Sequence, residues 1–163
     1  MSKQTDIHIE ISLEKQKLWL KNGDQILHEF SVSTAKNGAG ELMNSECTPR
    51  GLHEIAEMIG ENEAVNTVFV GRVPTGEIYH PALRELNPDR DWILTRILRL
   101  AGCEAGRNKG GELDSYERFI YIHGSPDDVE MGQPGSHGCV RMKNEDVITL
   151  FDQVCAGTKI KIY

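Results

Sequence analysis

The sequence has no long apolar run, no excess of basic residues and no closely spaced pair of cysteines. No stretch approaches the roughly 18 apolar residues that a membrane-spanning helix needs, and the mean hydropathy is −0.41. Eighteen Lys and Arg residues against 25 Asp and Glu residues give a net charge of −7. This charge repels phosphate backbones and anionic lipid heads, so a nucleic-acid partner is not expected. The lack of a long apolar run means that no membrane segment is expected either.

The four cysteines are too scattered for a disulfide framework or a four-cysteine metal site. Cys47, Cys103, Cys139 and Cys155 form no C-x-x-C pair. In a reducing compartment they should be free thiols, so each needs its own explanation.

The composition is that of an ordinary globular chain. It has 163 residues, of which 39% are hydrophobic and 26% are charged, enough apolar mass for one core. No repeat, low-complexity tract or linker is present, so residues 1–163 are predicted to form a single domain.

Alternation of apolar and polar residues predicts a mainly β chain. Residues 7–11, with the sequence IHIEI, place three isoleucines on the core face of a first strand. Asn22-Gly23 predicts a hairpin that leads to a return strand over residues 26–34. Further strands are predicted over residues 53–59, 65–70, 118–122 and 159–163.

The minor α content is predicted near the C-terminus. Asn144 is a good N-cap, the two acidic residues that follow it favour the helix dipole, and the helix should end near Ala156-Gly157. The segment 91–100 fits a strand and a helix equally well.

The strongest chemical signal lies between residues 120 and 141. A predicted strand ends at His123, and Cys139 follows sixteen positions later. A cysteine thiol titrates near about 8.5, so it needs a base to become a nucleophile at neutral pH, and His123 is a candidate. Gly138 lets the backbone turn tightly and expose N–H groups that would stabilise an oxyanion.

Two other interpretations compete with catalysis. A lone cysteine is often a small buried hydrophobe, and a lone histidine often has only structural hydrogen bonds. His123, His137 and Cys139 are also possible zinc ligands, but no further cysteine or histidine pair lies at familiar ligand spacing. The joint placement of His123 and Cys139 favours catalysis, and no metal site is expected.

His123-Gly124 and the segment 136–142, SHGCVRM, resemble the active-site signature of the L,D-transpeptidases, the YkuD-type catalytic domain of bacterial peptidoglycan cross-linking. The hairpin leading to residues 32–34, the turn at 48–51 and the end strand at 157–160 are also similar to that domain. The resemblance therefore spans nearly the whole chain. It implies a β-sandwich-type mixed domain with a helix following the catalytic cysteine.

The same resemblance favours a strand over residues 91–100 and implies the catalytic roles. Cys139 would be the nucleophile and His123 its general base, oriented by the backbone carbonyl of Gly124. The N–H groups of Gly138 and Cys139 would form the oxyanion hole.

The resemblance also implies a substrate site. Ser136 and His137 would shape the loop or bind substrate, although Ser136 would equally serve to close a turn. Arg141 matches an arginine of one branch of the family, and it would either hold a substrate carboxylate or form a surface ion pair. The other three cysteines match no motif position and are expected to be structural.

The implied reaction is acyl transfer on peptidoglycan stem peptides, without metal or organic cofactor. Cys139 would attack the carbonyl of the third stem residue, a diamino acid, and expel the terminal D-alanine to leave a thioester. The amine of another stem or a free D-amino acid would then take the acyl group. With water as acceptor the protein would be an L,D-carboxypeptidase, and without catalysis it would be a peptidoglycan-peptide binding module.

The first fifteen residues bear on location. They mix charged residues with isoleucines and lack the apolar segment of an export signal. A complete chain is therefore expected to be cytoplasmic and to act on soluble stem peptides or muropeptides. Removal of an export signal would instead place it in the periplasm or cell wall.

Overall fold

The computed structural model describes residues 6–163 and is mostly β, as predicted. The strands are β1 (Ile7–Ser12), β2 (Lys17–Asn22), β3 (Gln25–Ser31), β4 (Gly51–Ile59), β5 (Thr67–Val70), β6 (Val73–Ile78), β7 (Ile93–Gly102), β8 (Tyr121–Ser125), β9 (Val140–Lys143) and β10 (Lys159–Ile162). The α-helices are α1 (Pro81–Leu86) and α2 (Asn144–Phe151), and Gly111–Leu113 forms a single 3-10 turn.

These ten strands belong to one curled sheet. The main path runs β3-β2-β1-β10-β4-β7-β5-β6, and β8 and β9 continue from β7 on a branch. Most neighbouring strands are antiparallel, but β1 pairs with β10 and β8 pairs with β9 in parallel. The last strand therefore closes onto the first, and the branch carries the residues of the chemical motif.

The first hairpin packs as its alternation predicts. Ile9 and Ile11 are fully buried and lie opposite Leu20 and Leu18 of β2. Ile7 is only half-buried. The same face of β10 adds two more buried isoleucines beside β1, so this core forms where sequence-distant strands meet.

Strand β7 settles the ambiguous segment 91–100. It is the longest strand and pairs with β4, β5 and β8. The helix-like pattern arises because Arg96 and Arg99 are buried in the strand, with their guanidinium carbons 5.5 Å from the Phe151 ring and 3.5 Å from the Tyr116 ring. Both guanidinium groups lie over aromatic rings, which stabilises their burial. The sequence pattern alone does not indicate these contacts.

The bounds of the predicted strand before the motif are wrong. The predicted strand 118–122 begins at Tyr121 and runs to Ser125, so His123 lies in the middle of β8. Phe119 has a positive φ of 57°, and this turn delays the strand. The strands β6 and β9 and the helix α1 were not predicted, because each is short and lacks a clear periodicity.

The C-terminal helix also differs from its prediction. Its N-cap is Lys143, with φ −63° and ψ 147°, and Asn144 is the first helical residue. Asn144 does not cap the helix because its side chain bonds to Thr95 and Asn66. The helix ends at Phe151. Within residues 6–163, no helix is long and apolar enough to span a membrane.

Candidate active site

A cavity of about 480 Å³ brings the predicted site residues together. His123 from β8 lines it together with Ser136, His137 and Cys139 from the loop before β9 and Arg141 from β9 itself. The hairpin between β5 and β6 borders the opposite side. The parallel pairing of β8 with β9 therefore joins the two halves of the sequence motif.

Cys139 lies immediately before β9 and is half-buried. Its Sγ accepts the backbone N–H of Tyr121 at 3.3 Å, and its thiol donates to the carbonyl oxygen of Phe119 at 3.4 Å. The side chain packs against the buried cluster of Phe69, Ile97 and Tyr121. The thiol proton is thus turned towards a carbonyl, and no hydrogen bond joins Cys139 to His123 among the described residues.

His123 is buried and has one fixed tautomer. Its Nδ1 lies 2.6 Å from the carbonyl oxygen of Gly124. A carbonyl only accepts, so Nδ1 carries the proton and Nε2 keeps its lone pair. This is the backbone orientation that the sequence resemblance implies for a general base.

The surroundings keep both groups neutral at rest. Burial raises the pKa of the Cys139 thiol to about 12, and Asp91 adds to this effect, while the N–H of Tyr121 opposes it. Burial also lowers the pKa of His123. A thiol that is neutral at rest could act as a nucleophile only if its proton left as the sulfur attacked, because no thiolate is present beforehand.

Side-chain hydrogen bonds from Ser136 and Thr48 hold the loop that carries Cys139. The Ser136 hydroxyl donates to the carbonyl of Cys139 at 2.6 Å and accepts the N–H of Gly138 at 3.2 Å, so it closes a turn. The Thr48 hydroxyl donates to the Gly138 carbonyl at 2.9 Å. Gly138 has φ +131°, and a Cβ there would lie 3.2 Å from the Cys47 carbonyl oxygen, so only glycine fits.

Arg118 fixes a second loop beside the site. Its guanidinium donates to the carbonyl oxygens of Gly40 at 3.2 Å and Cys47 at 2.7 Å. Burial lowers the pKa of Arg118, and its positive charge in turn lowers the pKa of Cys139. The sequence predicts Arg118 only as part of a strand.

Arg141 and Asp91 form an ion pair in the cavity wall. Nη2 of Arg141 lies 3.7 Å from Oδ1 of Asp91, and Nη1 donates to the Gly135 carbonyl at 3.1 Å. Both charged residues and the exposed His137 also line a second cavity of about 340 Å³. The structure is therefore compatible with both interpretations of Arg141, as an ion-pair partner and as a carboxylate-binding residue, because Arg141 is ion-paired and still lines the cavity.

The remaining wall is apolar with one further cation. Phe69, Ile93 and Ile97 form its floor. Arg72, in the tight turn between β5 and β6, donates to the Tyr121 hydroxyl at 3.1 Å and lies over the Phe119 ring. Such a surface suits an aliphatic chain that ends in charged groups.

Sequence reasoning did not find Asp91, Arg72 or Arg118. Each is distant in sequence from the motif, and no local pattern marks it as part of a site. The zinc alternative drew on His123, His137 and Cys139, which all line the cavity. Among residues 6–163, however, no three His, Cys, Asp or Glu side chains are grouped to hold a metal ion.

Comparison with known proteins identifies the family. The L,D-transpeptidase catalytic domain of the YkuD type matches residues 6–162. The probable L,D-transpeptidase YcfS of Escherichia coli is 40% identical over 50 residues, which are 31% of this chain and 16% of that protein. The putative L,D-transpeptidase YkuD of Bacillus subtilis is 38% identical over 61 residues, covering 34% of this chain and 37% of that protein.

The fold agrees with this match. The crystal structure of L,D-transpeptidase 3 from Mycobacterium tuberculosis, in complex with a faropenem-derived adduct, superposes with a TM-score of 0.59 at 13% identity. It covers 97% of this chain and 60% of that one. The chain belongs to the L,D-transpeptidase family of the YkuD type, a family of enzymes involved in peptidoglycan cross-linking. The matched segments span well under half of either curated relative.

Proposed function

We propose that this chain transfers acyl groups between peptidoglycan stem peptides, with Cys139 as the nucleophile and His123 as its base. The observation that carries the proposal is the Nδ1-protonated tautomer of His123. It leaves a basic Nε2 on a histidine that lines the same cavity as Cys139, the cysteine of the family signature. A neutral base and a protonated thiol are the pair that proton transfer during attack requires.

The first half of the reaction forms a thioester. Sγ of Cys139 bonds to the carbonyl carbon of the third stem residue while the thiol proton passes to Nε2 of His123. The bond from that carbon to the nitrogen of the terminal D-alanine breaks, and His123 returns the proton to the departing amine. In the second half an acceptor amine attacks the thioester, and its proton passes through His123 to the released sulfur.

Backbone N–H groups would stabilise the oxyanion. The candidates are the N–H groups of Gly138 and Cys139. The Gly138 N–H is engaged by Ser136 Oγ at a long 3.2 Å, so it would turn from that hydroxyl to the oxyanion as the tetrahedral intermediate forms.

Charged groups in the wall would orient the substrate. The Arg141 guanidinium can donate two hydrogen bonds to a substrate carboxylate, and the exposed His137 lines the second cavity with it. The apolar floor would pack against the methylene chain of the diamino acid. Ser136 serves the loop, since both its hydrogen bonds lie within it.

Intact-protein mass spectrometry after mixing with a tetrapeptide stem tests the proposal. We expect an acyl adduct on Cys139 that has lost D-alanine, and no adduct on Cys139→Ser. Addition of a second stem or a free D-amino acid should discharge the adduct to a new peptide. Discharge by water alone would indicate an L,D-carboxypeptidase, and stem binding without any adduct would indicate a binding module and reject the proposal.

A further inference from the structure

A closed ring of hydrogen bonds lies directly behind the candidate base. The Thr95 hydroxyl donates to Oδ1 of Asn144 at 2.7 Å, and Nδ2 of Asn144 donates to Oδ1 of Asn66 at 2.9 Å. The backbone N–H of Asn66 returns to Oγ1 of Thr95 at 3.1 Å. Thr95 and Asn144 are both buried, so water does not replace these bonds.

The ring sits at an interruption of the sheet. Leu94 of β7 pairs with Gly124 of β8, whereas the next pair is Ile97 with His123. Thr95 and Arg96 are therefore bulged out opposite the His123-Gly124 peptide. Bulges of this kind redirect the side chains around them and are common beside active sites.

Thr95 has an unusual backbone for its residue type. Its φ is +75°, in the left-handed region that a β-branched side chain rarely adopts. Such a conformation persists only where the surroundings hold it. Its hydroxyl makes two hydrogen bonds that help to hold it, from Asn66 and to Asn144, and its carbonyl oxygen accepts a third from Nη1 of Arg96 at 2.7 Å.

Gly124 is wedged against this ring. A Cβ on Gly124 would collide with Oδ1 of Asn144 and would lie 2.6 Å from the Leu94 carbonyl oxygen and 3.1 Å from Cβ of Thr95. The bare Cα of Gly124 thus packs directly on the ring, and its carbonyl is the acceptor for Nδ1 of His123. The hydrogen-bonded ring thus contacts Gly124, and Gly124 in turn contacts the imidazole of His123.

We infer that Thr95 and Asn144 are positioning residues for the base. The ring holds the left-handed bulge of β7, and the bulge holds the Gly124 carbonyl against Nδ1 of His123. The tautomer with a basic Nε2 then depends on a hydrogen bond between Thr95 and Asn144, neither of which lines the cavity. This inference rests on the proposed function only where it concerns catalysis, because the tautomer of His123 is a property of the resting protein.

The test combines a tautomer measurement with kinetics. Thr95→Val keeps the β-branched shape but removes the hydroxyl, Asn144→Ala removes the hub of the ring, and Thr95→Ser keeps the hydroxyl. Thr158→Val is the matched control, since Thr158 is buried and its Oγ1 also accepts a backbone N–H, that of Cys155, outside the cavity. Histidine labelled with ¹⁵N reports the tautomer, with His123→Gln assigning the signal.

We expect the wild-type protein, Thr95→Ser and Thr158→Val to show the Nδ1-protonated form of His123. Thr95→Val and Asn144→Ala should show a mixture of tautomers. In these two variants the kcat for acylation of Cys139 should fall by about tenfold to a hundredfold, because a small misplacement of a catalytic group slows the reaction to this extent. The KM for the stem should change little. Thr95→Ser should restore most of the rate.

Folded Thr95→Val and Asn144→Ala proteins with the wild-type tautomer and rate would overturn the inference. If Asn144→Ala fails to fold, the contrast between Thr95→Val and Thr95→Ser decides the question. If the variants change the tautomer of His123 but even the wild-type protein is never acylated, the positioning role of the ring is supported and the proposed function is rejected. The failure of the inference and the failure of the proposed function are therefore distinguishable.

Discussion

The Nδ1–H of His123 donates to the carbonyl oxygen of Gly124 at 2.6 Å, and no carboxylate takes part in this bond. A backbone carbonyl fixes the tautomer without adding a negative charge next to the imidazole. Since burial lowers the pKa of His123, the ring stays neutral and ready to accept a proton at neutral pH. The predictions for Cys139 and His123 depend on this neutral pairing of base and thiol.

Replacement of the proposed nucleophile, Cys139, should abolish acyl transfer. In Cys139→Ser a hydroxyl faces a neutral base and is a far poorer nucleophile, so we expect the rate to fall on the order of a thousandfold or more. Stem-peptide turnover measures the rate, and thermal unfolding checks that the fold persists. Cys155→Ser, at an exposed position outside the cavity, is the control and should keep full activity. Turnover by Cys139→Ser would exclude Cys139 as the nucleophile.

The free thiol should react slowly with iodoacetamide at neutral pH. Because burial raises the pKa of Cys139 to about 12, its alkylation should rise about tenfold per pH unit across the alkaline range as thiolate forms. Asp91→Asn removes a negative charge that raises this pKa, so the variant should react faster at a fixed alkaline pH.

Asp89→Asn is the matched control for this measurement. Asp89 is a neighbouring carboxylate that lines the second cavity but not the first. Its replacement should leave the alkylation rate of Cys139 unchanged. Equal rates for Asp91→Asn and the wild type would show that Asp91 does not act on the thiol.

The rate of Cys139 acylation should decline in acid only at a pH below the usual pKa of histidine. The active form carries a neutral His123, and burial lowers the pKa of that ring. The rate of Cys139 acylation by a tetrapeptide stem should therefore be constant from neutral pH to below about 6.5 and decline at lower pH, as the ring becomes protonated. His123→Gln should remove this acid limb. A decline that begins above neutral pH would contradict a neutral buried base.

Stability should fall in acid partly through His53. This residue is fully buried, its Nδ1 donates to the Gly51 carbonyl at 3.1 Å and its Nε2 accepts the Ser115 hydroxyl at 2.7 Å. Burial lowers its pKa, so the unfolded chain binds a proton first as the pH falls below about 6.5. Stability is thus fully present above that pH and is lost below it, by about 1.4 kcal/mol for each unit of lowered pKa.

Urea unfolding at several pH values measures this dependence. His53→Gln should be less stable at neutral pH but should lose less stability in acid than the wild type does. The exposed His137 offers a control, since His137→Gln should leave the slope unchanged. Identical slopes for His53→Gln and the wild type would exclude His53 as a source of acid sensitivity.

Gly124→Ala should destabilise the fold. The added Cβ meets the Asn144 side chain and the Leu94 carbonyl oxygen, and the backbone of β7 cannot yield without breaking the sheet. Overpacking of this kind costs about 1–3 kcal/mol. Gly135→Ala is the control, because its Cβ would lie no closer than 3.3 Å to a neighbouring atom. Equal unfolding free energies for the two variants would show that the Gly124 site has spare room.

Much of this protein was predictable from local patterns. The alternation at Ile9 and Ile11 predicts their burial because a strand exposes alternate side chains to one face. Asn22-Gly23 predicts the hairpin because both residues tolerate positive φ. The spacing of His123 and Cys139 suggests a thiol and a base, and the resemblance to a family supplies the carbonyl of Gly124 as the orienting group.

Other features exist only in the folded chain. Asp91 lines the cavity, and Thr95 and Arg118 lie close to it, because strand pairing and loop contacts bring sequence-distant segments together, so no pattern within one segment reveals them. Asn144 is a residue type that often caps helices, yet its side-chain Oδ1 accepts a hydrogen bond from the buried hydroxyl of Thr95 on a distant strand. The raised pKa of Cys139 likewise depends on burial, which is set by packing among sequence-distant residues. Residue types and spacing along the chain mark Cys139 and His123 as the candidate chemical groups. Their charge states and orientation follow from the tertiary structure, because desolvation and hydrogen bonding depend on neighbours that only folding brings together.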